Sequence, residues 1–382
     1  MKFLARLFLL LLLIAAAAAG YLWYCIEKPF GTFPAEGVFV DIPHGASRRS
    51  VARQLEREGV VRSAIAFEIY ARRHPKRTLQ AGEYFFDHPI NGKDVLSTIA
   101  SGNVYQRPFT VREGETMFDI AHELEASKFM AADDFLAAAK NPELIHDLVP
   151  QAKTLEGFLF PATYNLPRHP VAKELVAEMT QKFREQWSQI DPAKSDPTKS
   201  DPAKSDPTKS DPTGVGHGHP LLSAVTLASL VERETPKPEE RLLVAGVFAN
   251  RLKKGMLLQC DPTVIYALEQ DGHYNGSLTT KDLHLESPYN TYMHGGLPPG
   301  PIGNPGAISL RAALAPAETP YLYFVANTQG GHFFSATLSE HNQNVNRYRR
   351  LLAGQPADPP PDLPAKSSHK NPQGKKRKGS SR

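Results

Sequence analysis

Cysteine is nearly absent: Cys25 and Cys260 are the only two in 382 residues. So few exclude a disulfide framework and a Cys-rich zinc module. A dominant charge of one sign is missing too. Forty-four Lys and Arg stand against 40 Asp and Glu, a formal net charge of +4 at pH 7. Even that +4 does not describe the body of the chain. Residues 363–382 hold seven Lys or Arg and no acid, so +4 less seven leaves −3 without them. Setting aside Lys2 and Arg6, which precede a long apolar run, leaves −5. A nucleic-acid partner, which needs a basic face, loses its main support. Metal signatures are absent as well. No HExxH occurs, and His217-Gly-His219, the nearest thing to a ligand pair, abuts a low-complexity tract. There is no GxSxG elbow and no phosphate loop with its lysine. GLPPGPIGNPG, residues 296–306, is too rich in proline to present consecutive backbone N–H groups. Neither a metal nor another cofactor is expected.

What the chain does have is one long apolar run. Leu7–Ile26 is twenty residues without a charge, LFLLLLLIAAAAAGYLWYCI. A helix of about 20 apolar residues spans a bilayer. Lys2 and Arg6 precede the run; Glu27 and Lys28 follow it. The leading cations put residues 1–6 on the cytoplasmic side. Tyr21, Trp23 and Tyr24 fit an aromatic belt at the outer interface, and Cys25 reads as a membrane-edge residue. The expectation is a single-pass helix over 7–26 in the inner membrane, a linker at 27–36, and the rest of the chain in the periplasm. A cleaved signal peptide is the alternative, with Leu7–Ile14 as its apolar core and Ala17–Ala19 as its cleavage site. Both readings export the body of the chain.

Proline is high, 33 of 382 residues, and eleven of these lie in two low-complexity tracts. Residues 191–213 read DPAKSDPTKSDPAKSDPTKSDPT. Proline at every fifth position excludes a continuous helix or a central strand, and alternating Asp and Lys cancel. The tract reads as a solvated, extended insert. Residues 354–382, Pro-rich and then basic, are too poor in apolar groups to fold.

Between these tracts a short pattern occurs twice. Ile42-Pro-His-Gly45-Ala-Ser47 precedes Val51, Ala52 and Leu55; Val111-Arg-Glu-Gly114-Glu-Thr116 precedes Ile120, Ala121 and Leu124. Each reads as a strand, a glycine turn, and a Ser or Thr N-cap opening an amphipathic helix. Ordinary β-turn-α units would look the same. FTVREGETMFDIAHEL, residues 109–124, also resembles a LysM module, a small glycan-binding unit. Gly82–Phe86 reads as a strand and Asp94–Ala100 as a short helix. The fold class expected is α+β, with short strands mixed among helices and no regular βαβ alternation. After the membrane helix comes a small LysM-like α+β region at 37–140. An α+β catalytic region follows at 141–353, interrupted by the insert.

The chemistry is expected on Ser223–Glu234, SAVTLASLVERE, a helix by pattern that ends before Pro236 and Pro238. Glu232 and Glu234 are two residues apart, about 200° around a helix, so they cannot form an acid/base pair on one face. Glu234 continues the line Leu227, Leu230, Val231. Glu232 continues Val225, Ala228, Ser229, a line small in the middle that would let a bulky ligand approach. That favours Glu232. Both could equally be ion-pair carboxylates, for example with Arg233 or Arg241. Further on, Tyr, Asn, Thr, Pro and Gly crowd the loops, and tyrosine faces and amides suit a sugar ring.

At these residues the chain resembles a known family. ASLVERET, LQCDPTVIY, YNTY, GLPPGPIGNPG and SEHN, with LEGFLFPATY at 155–164, look like the endolytic murein transglycosylase family (MltG or YceG-like). Ala162 stands where that family usually has Asp, and Cys260 where it has Thr or Ser. The resemblance implies cleavage of the β-1,4 bond between N-acetylmuramic acid and N-acetylglucosamine in nascent peptidoglycan strands. No water is used, and a 1,6-anhydro end is left. It implies Glu232 as the catalytic acid, with a pKa raised by burial beside groups such as Val225. Glu234→Gln should then be the milder change. Gln259, Asp261, Tyr289, Asn290, Thr291, Tyr292, Glu340 and Asn342 are candidates to line the glycan groove. Each could instead be a cap, a turn residue or a surface charge. The implied partners are glycan strands, the membrane through the N-terminal helix, and penicillin-binding synthases; the implied role is to limit strand length. A hydrolytic muramidase and a non-catalytic peptidoglycan-binding or scaffold protein are the alternatives.

Overall fold

The computed structural model describes residues 2–31, 33–34, 36–190 and 221–355. The insert at 191–213 and the basic tail beyond 355 lie outside the described residues. The chain forms two compact units of mixed helix and strand, as the α+β expectation required. The first comprises Met1–Val111, Glu123–Ala131 and Ala162–Leu175; the second comprises Arg112–His122, Ala132–Pro161 and the chain from Val176 on.

The first unit opens with helix α1, Lys2–Glu27. Its stretch Phe3–Glu27 is long and apolar enough to cross a membrane. Leu7 to Ile14 are all exposed, as are Tyr21, Trp23 and Tyr24. The last turn behaves differently. Cys25 and Ile26 are buried in the core of this unit, so Cys25 is a core residue and not a membrane-edge one. The core is made by β1 (Val38–Ile42), α2 (Arg48–Arg57), α3 (Ala64–Arg73), β2 (Gly82–Phe86) and α4 (Gly92–Ala100). β1 and β2 pair antiparallel, Val40 opposite Tyr84, and alternate residues turn inward. That is the period of two a half-buried strand requires. Ser47 caps α2 by accepting from Ser50 N at 3.1 Å, and Val51, Ala52 and Leu55 face inward, as the sequence pattern foretells. β3 (Arg107–Thr110) pairs antiparallel with β4 (Thr163–Leu166).

The second copy of the pattern opens α5, Met117–Ala126. Thr116 Oγ1 accepts from Asp119 N at 3.1 Å, and the Asp119 carboxylate accepts from Thr116 N at 2.9 Å. That is a reciprocal cap of the capping-box kind. In chain order β3, α5, α6 (Ala132–Ala139) and β4 repeat the strand–helix–helix–strand order of β1 to β2.

Helix α8, Leu221–Glu234, is the centre of the second unit. It begins two residues before the expected start and ends at Glu234. Around it pack α9 (Arg241–Lys253), α10 (Asp261–Gln270) and α11 (Ala307–Leu314). α7 (Ala172–Ile190) precedes it in the chain; β5 (Tyr323–Ala326), β6 (His332–Ser335) and α12 (Leu338–Leu352) follow. Ten of the fourteen residues of α8 are buried, with apolar and small residues on every side. A helix apolar all round belongs in a core, and α8 has no free lateral face to offer a ligand.

Candidate active site

The small line on α8 is filled by the protein's own loops. Val225, Ala228 and Ser229 are wholly buried. Gly157, at φ +85°, comes so close that an added Cβ would lie 2.5 Å from Pro301 and 2.9 Å from Val225 Cγ1. Ser229 Oγ accepts from Ile302 N at 3.1 Å. The stripe expected to admit a ligand thus admits the 155–160 and 299–306 segments, whose backbones need the room.

Glu232, at the end of that stripe, is only 8% exposed. One oxygen meets Arg241 Nη2 at 2.5 Å and the other accepts from Gly306 N at 2.9 Å. Arg241 also holds Glu113 Oε2 with both Nη atoms at 3.1 Å. Gly306 is the N-cap of α11, and a Cβ there would fall 1.9 Å from Glu113 Oε1, so a larger residue would push the Glu113 side chain away. Burial raises the Glu232 pKa; the Gly306 N–H and Arg241 oppose that rise, and Glu113 adds to it. The residue sequence reasoning favours as proton donor therefore joins α8 to α9 and α11 in a closed buried ion pair. The ion-pair alternative with Arg241 describes it.

Glu234 has the opposite character. It is half-buried, and its Oε2 accepts from the Cys260 thiol at 3.4 Å. Burial raises its pKa, and nearby Asp261 raises it further; the thiol hydrogen bond, His332 and Arg251 act against the rise. Cys260 is the N-cap of α10, and Asp261 is that helix's first residue. The Tyr292 hydroxyl donates to Asp261 Oδ1 at 2.5 Å, and burial, with this bond adding to it, raises the tyrosine pKa. The Cys260 thiol, buried against the Glu234 charge, is held well above its ordinary pKa and stays protonated. Among the described residues no group of three His, Cys, Asp or Glu could hold a metal ion.

The eight groove candidates separate on this geometry. Asp261 and Tyr292 stand beside Glu234. Gln259 precedes Cys260, is exposed, and adopts φ +49°, uncommon for a residue with a Cβ. Its N–H donates to Thr291 O at 3.1 Å. Asn290 and Thr291 do not line a groove, because both are buried and tied to scaffold. Asn290 donates to the carbonyls of Leu283 and Leu285 and accepts from Tyr292 N. Thr291 Oγ1 accepts from Cys260 N and bonds Thr263 Oγ1, which fixes the loop that carries Cys260. Tyr289 lies elsewhere, packed on Tyr266 at 5.0 Å and near the Glu156 charge. Glu340 forms a capping box with Thr337 at the start of α12, and its carboxylate takes the N–H groups of Ala336 and Thr337. Asn342 is exposed on the same helix.

Sequence reasoning misses two basic groups near Glu234, Arg251 and His332, and a third, His341, beside Arg251. Arg251 donates to the carbonyls of Leu257, Leu258 and Leu322 and lies over the Tyr323 ring at 5.2 Å. His332 is held by Glu240 at 2.7 Å. His341 stacks on Tyr323 at 5.3 Å. Nothing in their spacing signals this convergence, since they come from α9, β6 and α12. A second buried carboxyl is also missed. Glu156, 2% exposed, accepts from Met117 N and from Asn304 Nδ2. Asn304 Oδ1 in turn accepts from Gly157 N and Leu159 N. Burial pushes the Glu156 pKa up to about 8.

The sequence profile of the YceG-like family matches residues 40–347. An endolytic murein transglycosylase of Bacillus subtilis is 33% identical over 326 residues, covering 81% of this chain and 84% of that protein. An endolytic murein transglycosylase of Streptococcus pneumoniae is 29% identical over 338 residues, 81% of this chain and 58% of that protein. The crystal structure of a yceG-like protein from Listeria monocytogenes aligns with a TM-score of 0.51 at 32% identity. It covers 81% of this chain and 99% of that one.

Proposed function

Since the chain belongs to the YceG-like family, we propose that it is a peptidoglycan lytic transglycosylase whose proton donor is Glu234. The relatives' name supports the substrate and the reaction class. One observation carries the choice of residue: Glu234 is half-buried and, among the described residues, only a thiol is bonded to it, beside Asp261 and Tyr292. Glu232 is 8% exposed, with one oxygen on Arg241 and the other on Gly306 N.

The chemistry asks for one carboxyl that is protonated near neutral pH. It gives its proton to the glycosidic oxygen as the bond from C1 of N-acetylmuramic acid breaks. The resulting carboxylate then takes the proton of that sugar's own C6 hydroxyl, whose oxygen bonds to C1. No water enters, and the product is a 1,6-anhydro ring. Because the attacking hydroxyl belongs to the substrate, proximity supplies much of the advantage and no second carboxylate is required. Asp261 supports a second reading. A carboxylate beside the acid is what a hydrolytic glycosidase needs to activate water or form a covalent intermediate. The masses of fragments released from purified sacculi separate the two, since the anhydro product is one water lighter.

We place the enzyme in the inner membrane through α1, with its catalytic part, 141–353, in the periplasm and a glycan-binding, LysM-like part at 37–140. The exposed apolar surface of α1 supports the anchor, and the strand–helix–helix–strand order of β1, α2, α3 and β2 supports a small module within 37–140. An anchored enzyme meets nascent strands close to the membrane, where synthases work, and cutting there limits strand length. Freeing the chain from α1 is expected to change where cleavage occurs; an unchanged fragment-length distribution in cells argues against the placement.

A further inference from the structure

Within the first unit, α1 and α3 line a cavity of about 300 Å³. Ala19, Leu22 and Trp23 line it from α1; Ile69, Tyr70 and Arg73 line it from α3. On each helix these residues recur at the three- and four-residue spacings of a single face. The volume is at the lower end of that of ligand clefts.

Three features give the cavity an occupant. The first is its place on α1. Ala19 lies one turn further along α1 toward the exposed run Leu7–Ile14 than Trp23 does, so the cleft lies at the far end of the exposed stretch of α1. The second is the face of α3 beside it. Ile65 is 68% exposed and Ile69 is 37% exposed, four residues apart on one side of a helix that otherwise packs into the core. An exposed isoleucine pair on a helix at the end of a membrane span suits the headgroup–acyl boundary. The third is charge. Arg73, Lys76 and Arg77 lie within five residues at and just after the end of α3, and Arg72 beside them is paired with Glu68. Arg73 is exposed and has no carboxylate partner among the described residues. The one acid on the rim, Glu27, is paired with Lys93. A cationic run beside a membrane span attracts anionic headgroups.

We infer that the cleft between α1 and α3 binds an anionic phospholipid of the bilayer. Its acyl chain lies against Ala19, Leu22 and Ile69, and its phosphate lies at Arg73. The lipid thereby sets the height of the first unit above the membrane. This site rests on the reading of α1 as a membrane span.

The test uses the full-length protein, wild type and Arg73→Glu, in detergent. Native mass spectrometry is run with phosphatidylglycerol, phosphatidylcholine or inorganic phosphate added. Flotation with phosphatidylcholine vesicles reports anchoring in parallel. Both proteins are expected to float. The wild type is expected to retain one phosphatidylglycerol, favoured about tenfold over phosphatidylcholine, and Arg73→Glu to lose that preference. If both float but retain the two lipids equally, or if Arg73→Glu keeps its preference, the lipid site is wrong and the anchor stands. If inorganic phosphate alone is retained, the site takes an anion and not a lipid, which also overturns it. If the wild type fails to float, the anchor and the site fall together.

Discussion

Glu232 and Arg241 meet at 2.5 Å inside the second unit, and that pair closes the one glutamate while leaving Glu234, two residues on, to a thiol. The two side chains point about 200° apart around α8. One points to α9 and α11; the other points to the start of α10. Their environments differ accordingly, and so do the roles each can take.

Glu232 is expected to matter for stability first. Glu232→Ala leaves Arg241 buried with, among the described residues, only the half-exposed Glu113 carboxylate to balance it. Removing one partner of a buried pair typically costs about 3–5 kcal/mol. Thermal unfolding should therefore show a fall of several degrees in Tm. Glu232→Gln, which still offers an acceptor to Gly306 N, should fall less. An unshifted midpoint for the alanine variant contradicts the structural role.

Cys260 should tune the acid. Its thiol hydrogen bond lowers the Glu234 pKa against the rise that burial imposes. A general acid works only while protonated, so activity is lost as pH rises through its pKa. Cys260→Ala removes the donor and raises that pKa. The alkaline limb of the kcat/KM profile is expected to move to higher pH. A limb that stays in place, or moves down, shows that the thiol does not act on the acid.

The buried carboxyls predict how stability varies with pH. Glu156 is raised to about 8 and Glu269 to about 7, from an ordinary value of 4.5. Between 4.5 and these values the folded protein holds protons that the unfolded chain has released. Stability therefore falls as pH rises through this window and levels off above about 8. Glu156→Gln removes the larger share of that fall. Denaturant midpoints from pH 5 to pH 9 test this, and a wild-type and variant pair with parallel profiles speaks against it.

Asp261 separates the two chemistries. If the attacking group is the substrate's own hydroxyl, Asp261→Asn should lower the rate only modestly and leave the product in its anhydro form. If Asp261 activates water or forms a covalent intermediate, the same variant should lose a factor of about 100 or more in rate. Rates and product masses on purified glycan strands decide between these.

Much of the local structure was legible in the residues. Ser47 and Thr116 announce the helices they cap because an N-cap bond spans only three residues. Gly82–Phe86 reads as a strand because alternate residues face one core. The long-range placements were not legible. Periodicity tells which residues of α8 share a side, but not what covers that side. The Val225–Ala228–Ser229 stripe is small so that Gly157 and Ile302 can approach, the same signature a ligand face would give. Asn290 and Thr291 have the chemistry of sugar-binding residues and use it on backbone groups instead. Cys25 continues an apolar run without a break, and only the packing of the last turn of α1 shows that the run ends inside a core. Arg251 and His332 come from two elements, and only the fold brings them near Glu234.

The most direct test is digestion of purified sacculi by wild type, Glu234→Gln and Glu232→Gln, each first shown to be folded by its thermal transition, with the released fragments weighed. Glu234→Gln is expected to lower release of anhydro fragments by about 100-fold or more, while folded Glu232→Gln keeps most of the activity. Loss of activity in folded Glu232→Gln together with near-normal release by Glu234→Gln would contradict the assignment.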